Sequence, residues 1–295
     1  MSQQTELAAP GPGSGAGATP GVEPGPAPAS APGAEPGIGP GAATAGVKSA
    51  RRAIDLIEAF AATDAWLSLS DLHARTGFPR SSLHGLLHTL FEAGWLQVDA
   101  SGTRYRLGVR ALICGTAYVD RDPVVPYATE ALEQVREATG YTAHFARRYG
   151  AEVVYLETRE SRHSIRLVSR VGRTLPTYAT ALGKALLSEL THDEIDALLP
   201  GELKPLTPHT ITNLPGLHTE CATIRERGYA AEIEEGTLGV RCVASVIPYR
   251  IPATDAMSCS MPVDKVTDEE AIRVGELLME TTAALGARLR RAGVR

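Results

Sequence analysis

Aromatic residues are scarce in this chain: two tryptophans, four phenylalanines and nine tyrosines among 295 residues. Cysteine is as sparse, and Cys114, Cys221, Cys242 and Cys259 stand far apart with no CxxC pair. That spacing excludes a disulfide framework, so a reduced cytoplasmic protein is expected. No apolar run approaches the ~18 residues that a membrane helix needs, and no membrane partner is expected. The N-terminus has neither a basic n-region nor an apolar h-region, so no secretory signal is expected either. The net charge of −5 argues against a protein that coats nucleic acid along its whole surface.

Lysine and arginine are missing altogether from residues 1–46, which instead hold 9 of the 20 prolines and 11 of the 29 glycines. Such a segment cannot bury enough apolar surface to offset its ordering entropy, and it reads as a disordered tail. Beyond it the charge balance shifts. From Lys48 to Arg110 there are eight basic and six acidic residues, a local net charge of +2 in an acidic chain.

That basic stretch has a clear local grammar. RRAIDLIEAFA places Ala53, Ile54, Ile57, Phe60 and Ala61 on one helical face. Ser70 is the expected N-cap of a short helix that Gly77 ends, and Phe78-Pro79 makes the turn. The next helix repeats Leu83, Leu86, Leu87, Leu90 and Phe91 at i, i+3, i+4, i+7 and i+8, and Gly94 stops it. WLQVD and TRYRLG follow as two short strands. Helix, helix-turn-helix and β wing in this order predict a winged helix-turn-helix.

In such a module the second helix enters the major groove and its N-terminal residues reach bases or phosphates. Off the leucine stripe lie Arg80, Ser81 and Ser82, followed by His84, Gly85 and His88. Arg104 and Arg106 alternate with Tyr105 and Leu107, which puts both guanidiniums on one face of the wing. These eight residues are the candidate contacts to a double-stranded DNA operator. An ordinary solvated helix face is the competing reading, and it does not account for the agreement of helix order, turn and wing.

Two motifs are set aside. HGLLH spaces two histidines as a zinc protease does but lacks the glutamate, and no further ligand cluster follows. ATALGKALL contains Gly-Lys, yet Tyr178 stands where a phosphate loop needs glycine and Ala185 where it needs Ser or Thr. Neither a metal nor another cofactor is called for.

After a helix over residues 109–120 and another over Pro126–Thr139 closed by Gly140, strands and helices alternate. TAHFARRYG, AEVVYLETRE, SIRLVSRVG, VRCVASVIPY and AMSCSMP read as strands, the last two as a hairpin. LGKALLSEL and Thr219–Arg227 read as helices, and Thr267 to Glu270 opens the last one as a capping box. The pattern predicts an α+β domain with a largely antiparallel sheet. Thr180 is placed to cap a helix whose N–H groups suit a carboxylate, and Ser258 and Ser260 share one strand face near Cys242. Ordinary core and cap residues would look the same, so periodicity leaves both readings open. A thiol enzyme using Cys242 with His163 or His144 as base, a hydrolase or transferase, is the rival class. No activating spacing supports it.

From Val47 onward the chain resembles the IclR family of transcriptional regulators. VKSARRAIDLIEAF, TGFPRSSLHGLLHTL, YRLG, RVGRTLPTYATALGKALL, IRERGYAAEIEEG and GVRCVA carry the resemblance. It implies a winged helix-turn-helix over 47–108, a linker helix over 109–124 and a GAF-like effector-binding domain over 125–293. It also implies a homodimer or homotetramer, and a regulator, usually a repressor, that answers to a small-molecule effector, often a carboxylic acid. Carried over by motif, the family's effector pocket has an apolar wall at Leu167, Ala181, Leu182 and Val240. Its polar contacts are Glu232, Cys242, Ser258 and Ser260. The chain departs from the family pattern at Glu232, often aspartate, at Leu182, smaller in some relatives, and at Gly85, commonly arginine. The Asp-Gly turn usual between the last two strands is missing, and the proline-rich tail has no family counterpart.

Overall fold

The computed structural model describes residues 46–161 and 171–295. The tail expectation, Leu167, His163 and most of the strand expected at SIRLVSRVG therefore lie outside the described residues.

The first unit is built from α1 (Lys48–Ala61), β1 (Leu67–Ser68), α2 (Leu69–Thr76), α3 (Arg80–Glu92), β2 (Leu96–Val98) and β3 (Arg104–Leu107). Its core is a leucine cluster in which Leu56, Leu72, Leu83 and Leu87 are almost fully buried. Two local expectations change. On α1 the inward face is Leu56 and Phe60, with Ile57 alongside, while Ile54 is 49% exposed and Ala61 is exposed. Apolar residues lie on two sides of this helix, and only packing against α2 decides between them. The N-cap of α2 is Ser68 rather than Ser70: its hydroxyl accepts from the Asp71 N–H, and the Asp71 carboxylate accepts from the Ser68 N–H at 2.8 Å. The helix thus starts two residues earlier, and Leu67–Ser68 becomes a third strand pairing with β3. Gly77 ends α2 in the left-handed conformation at φ 68, which a side chain would resist.

A linker helix, α4 (Val109–Arg121), follows and contains no buried residue. The remainder consists of α5 (Val125–Thr139), β4 (Thr142–Tyr149), β5 (Glu152–Arg159), β6 (Thr174–Pro176) and a short 3-10 turn at Thr177–Ala179. Then come α6 (Ala181–Leu187), α7 (His192–Leu198), α8 (Leu214–Arg227), β7 (Ala230–Ile233), β8 (Val240–Val246), β9 (Asp255–Pro262) and α9 (Asp268–Arg291). The strands form one antiparallel sheet in the order β6-β5-β4-β9-β8-β7. One face packs against α5 and α9 around Phe145, Met257 and Leu278. The other packs against α6 and α8 around Tyr155, Leu182, Leu186 and Ile224. The fold is α+β with two layers of helix on an antiparallel sheet.

Two details shape the second face. A Cβ on Gly183 would lie 2.1 Å from the Thr177 carbonyl oxygen, so only glycine lets α6 press onto the 3-10 turn. At the start of α9, Thr267 caps the Glu270 N–H, but the Glu270 carboxylate turns to Arg273 at 2.8 Å instead of closing the expected box. An ion pair one helical turn along holds the carboxylate in place of the backbone N–H.

Candidate functional site

The first site is the exposed face of α3. Pro79 is its N-cap and offers no side-chain acceptor, so no side chain caps the amides of its first turn. Free amides at a helix start suit a phosphate. Arg80, Ser81, His84, Gly85 and His88 are all exposed there. Ser82 is not: it is half-buried, and its hydroxyl accepts from Arg52 Nη1 of α1 at 3.0 Å. Arg52 also lies 5.2 Å from the centre of the Phe78 ring, so α1 grips the turn and the start of α3 together. Among the candidate DNA contacts, Ser82 is thus already engaged within the protein. A Cβ on Gly85 would meet nothing within 4 Å, which leaves a smooth, open patch in the middle of the face.

On the wing, Arg104 and Arg106 are exposed on one face. Arg106 is braced, donating to Gln97 Oε1 at 3.2 and 3.1 Å with its guanidinium 4.4 Å from the Trp66 ring centre. A stacked and hydrogen-bonded guanidinium loses little freedom when it meets a phosphate. Among the described residues no three His, Cys, Asp or Glu side chains come together as a metal site.

The second site lies between α6 and the sheet. Register pairs Thr142 with Ser260, Ser260 with Cys242, and Cys242 with Glu232. One row of polar side chains therefore crosses four strands. The next row begins with Thr158, His144 and Ser258. Alternation along the strands puts both rows on the α6 side, the side of Ala146, Ala244 and Ala256. Ala181 and Leu182 from α6 cover them, and Val240 shares their face at the end of β8. Seven of the eight expected residues thus meet between α6 and one face of the sheet, and the eighth, Leu167, lies outside the described residues.

Electrostatics set the character of these rows. Ser258, Ser260, Thr142 and His144 are each at least nine-tenths buried, as is Glu232. Burial pushes the Glu232 carboxyl up to about 7, against hydrogen bonds from Cys242 and the Glu235 N–H. Burial, helped by the positive charge of Arg173, pushes His144 down to about 4. Its Nδ1 lies 3.1 Å from Thr158 Oγ1 and its ring meets Tyr155 edge-on. Thr142 Oγ1 accepts from the Ser161 N–H, and Cys242 Sγ lies 3.2 Å from Ser260 Oγ. Burial, then the neighbouring Glu232, hold the Cys242 thiol well above its ordinary range. A protonated thiol is a poor nucleophile. His144 sits two strands away from Cys242, roughly 10 Å at ordinary strand spacing, with β9 between them.

Sequence reading missed several members of this site. Thr142 and His144 share the parity of Ala146 in TAHFA, but only the β4–β9 register shows that they extend the serine face. Arg173 belongs to a stretch with no periodicity. Lys184, the lysine of the rejected phosphate loop, is fully buried; it donates to Glu235, Glu220 and the Ala231 carbonyl and ties α6 to the loop after β7. Thr180 caps Gly183 N at 3.0 Å as expected, but α6 is only seven residues long, so its end carries little dipole. A cavity of about 190 Å³ lies at the other end of α6, lined by Ser188, Glu189, Arg225 and Tyr229, outside the polar rows.

Residues 49–100 match the IclR helix-turn-helix domain, and residues 116–287 match the C-terminal domain of the bacterial transcriptional regulator IclR. The HTH-type transcriptional regulator XynR of Escherichia coli K12 is 33% identical over 245 residues, covering 82% of this chain and 97% of that protein. The transcriptional repressor IclR of the same organism is 28% identical, covering 83% of this chain and 92% of its own length. The crystal structure of Thermotoga maritima IclR superposes with a TM-score of 0.63 at 28% identity, over 82% of this chain and 98% of that one.

Proposed function

The chain belongs to the IclR family of transcriptional regulators, and from that premise we propose that it is a repressor released from its operator by a small organic acid bearing a hydroxyl or amine. Effector-controlled binding to DNA is the family's function. The finer reading rests on one observation, the polar row Thr142–Ser260–Cys242–Glu232 buried beneath α6 in a chain that also carries an exposed reading helix. The hydroxyls offer hydrogen bonds, Glu232 accepts from a donor group, and the positive charge of Arg173 acts on the same face at His144 and Tyr155. Residues 47–108 read DNA, 109–124 link, and 125–293 hold the effector.

The same reading makes the protein a homodimer, alone or paired into a homotetramer. Val109, Leu112 and Ile113 of α4 are 62%, 65% and 60% exposed, an apolar stripe suited to a second copy. Two recognition helices then face a palindromic site. A thiol-enzyme reading is disfavoured by the raised Cys242 and its distance from His144.

The test is fluorescence anisotropy on a duplex selected in vitro by the full chain, with a panel of hydroxy, keto and amino acids as competitors. Ser258→Ala/Ser260→Ala should bind the duplex normally and lose the response to whichever acid releases the wild type. Release at the wild-type concentration would place the effector elsewhere.

A further inference from the structure

Arg147 is the meeting point of three parts of the chain. From β4 its Nε and Nη2 donate to the two oxygens of Asp255 on β9, at 2.7 and 2.8 Å. Asp255 is fully buried and also accepts from the Tyr249 hydroxyl at 2.7 Å. On its other side Arg147 Nη1 donates to Asp122, just beyond α4, and to the Tyr118 hydroxyl in the last turn of α4 at 3.0 Å. Asp122 does double duty. Its Oδ1 accepts from the Val124 and Val125 N–H groups at 2.9 and 3.3 Å and so starts α5. A single carboxylate therefore defines the corner between α4 and α5 and is held to the sheet by one guanidinium. Burial is the strongest single influence and raises the Asp122 carboxyl, but the hydrogen bonds from Arg147, Val124 and Val125 and the Arg147 charge together outweigh it and hold the carboxyl below its ordinary range.

The position on the sheet gives this cluster its meaning. Arg147 pairs in register with Asp255, and His144 with Ser258, on the same two strands three residues apart. Strand alternation puts Arg147 on the α5 and α9 face and His144 and Ser258 on the α6 face. A slide or twist between β4 and β9 is therefore felt on both sides at once. On the far side stands α4, which buries no residue of its own. Its last turn is tied to the domain by Val119 against the larger core and by the bonds of Tyr118 and Asp122 to Arg147.

We propose that the Tyr118–Asp122–Arg147–Asp255 clasp fixes the direction of the linker helix on the effector sheet, and so sets the separation of the two recognition helices in the dimer. Arg147 is a positioning residue: it touches neither DNA nor the effector rows. The inference rests on the dimer reading given above, and the experiment separates the two. It predicts that weakening the clasp blurs the choice of half-site spacing without changing the affinity for one half-site. A merely structural ion pair would instead lower stability and all affinities together.

The experiment uses the full chain and a set of duplexes built from the half-site selected in vitro, with the spacer varied in single base pairs, plus a duplex with one half-site only. Asp122→Asn keeps the oxygen that starts α5 but removes the charge that holds Arg147. Tyr118→Phe removes one bond at a side chain that is 55% exposed and cannot endanger the core. The wild type should prefer one spacing and lose about tenfold or more when the spacer changes by a few base pairs, because each rotates one half-site about a tenth of a turn away. Asp122→Asn should bind the single half-site as the wild type does, accept neighbouring spacings almost equally, and show faster amide exchange in α4 with β4 and β9 unchanged. Tyr118→Phe should fall between them. A wild-type spacing profile and wild-type α4 exchange in both variants would overturn the clasp. So would a uniform loss of affinity and stability in Tyr118→Phe, which also decides the matter if Asp122→Asn does not fold. A wild type indifferent to spacing would instead sink the dimer reading, and the clasp with it.

Discussion

The ammonium of Lys184 lies 2.6 Å from the Glu235 carboxylate, with the lysine side chain 1% exposed. Glu220 and the Ala231 carbonyl complete its contacts at 3.1 and 2.9 Å, so one cation joins α6, α8 and the loop after β7. Lys184→Met removes the charge from one side only. Breaking a buried pair in this way costs about 3–5 kcal/mol, and the part-exposed Glu220 places the expected loss toward the lower figure. Urea denaturation measures it. A loss within the ~0–1 kcal/mol typical of exposed pairs would contradict the buried role.

The polar face beneath α6 should make stability depend on pH in two opposing ways. Glu232, raised to about 7, contributes stability that is present below 4.5 and lost as pH rises through 7. His144, lowered to about 4, contributes stability that is present above 6.5 and lost as pH falls through 4. Between pH 4.5 and 6.5 the two slopes cancel in the wild type. Glu232→Gln should therefore lose stability on acidification across that window, and His144→Gln should gain it, each by roughly 2–3 kcal/mol at about 1.4 per pH unit. Unfolding curves at stepped pH read both, and parallel profiles for the two variants would refute the assignment.

Gly85 occupies an exposed mid-helix position with open space around it. Gly85→Ala should stabilise the protein by about 0.5–1 kcal/mol through helix propensity alone. Anisotropy on the selected duplex then shows whether DNA needs the bare surface: weaker binding by a more stable protein would mean that the duplex backbone or a base edge approaches within a methyl group of α3.

The wing offers a separate test. Arg104→Ala/Arg106→Ala should lower the slope of log affinity against log salt by ~0.9 for each phosphate contact removed. Trp66→Leu leaves both charges but removes the stacking that braces Arg106. It should weaken binding with the slope unchanged. An unaltered slope in the double arginine variant would take the wing out of the interface.

Much of this was legible in the chain because it is local. The leucine period of α3, the Gly77 stop, the β8–β9 hairpin and the Thr267 cap are each encoded within a few residues. What sequence reading missed is decided at a distance. β1 and β6 are two and three residues long and exist only by pairing with β3 and β5. The inward face of α1 depends on which stripe meets α2. The polar rows beneath α6 are the clearest instance: the serines stood out by strand parity and Cys242 by its neighbouring strand, whereas Thr142 and His144 joined them only through a register set by β4 and β9. Lys184 sits in the Gly-Lys pair rejected as a phosphate loop, and its carboxylate partners are 36 and 51 residues away.

α4 spans thirteen residues and shelters none of them. A helix of that length on its own sits near the limit of persistence in water. Its order is borrowed, from the carboxylate at its C-terminal corner and from whatever covers Leu112 and Ile113. If the chain pairs as proposed, a protomer diluted away from its companion would keep both of its folded ends but join them through a fraying rod. In that dimer, the stiffness with which the sensing half steers the reading half would vary with how much of the protein is present.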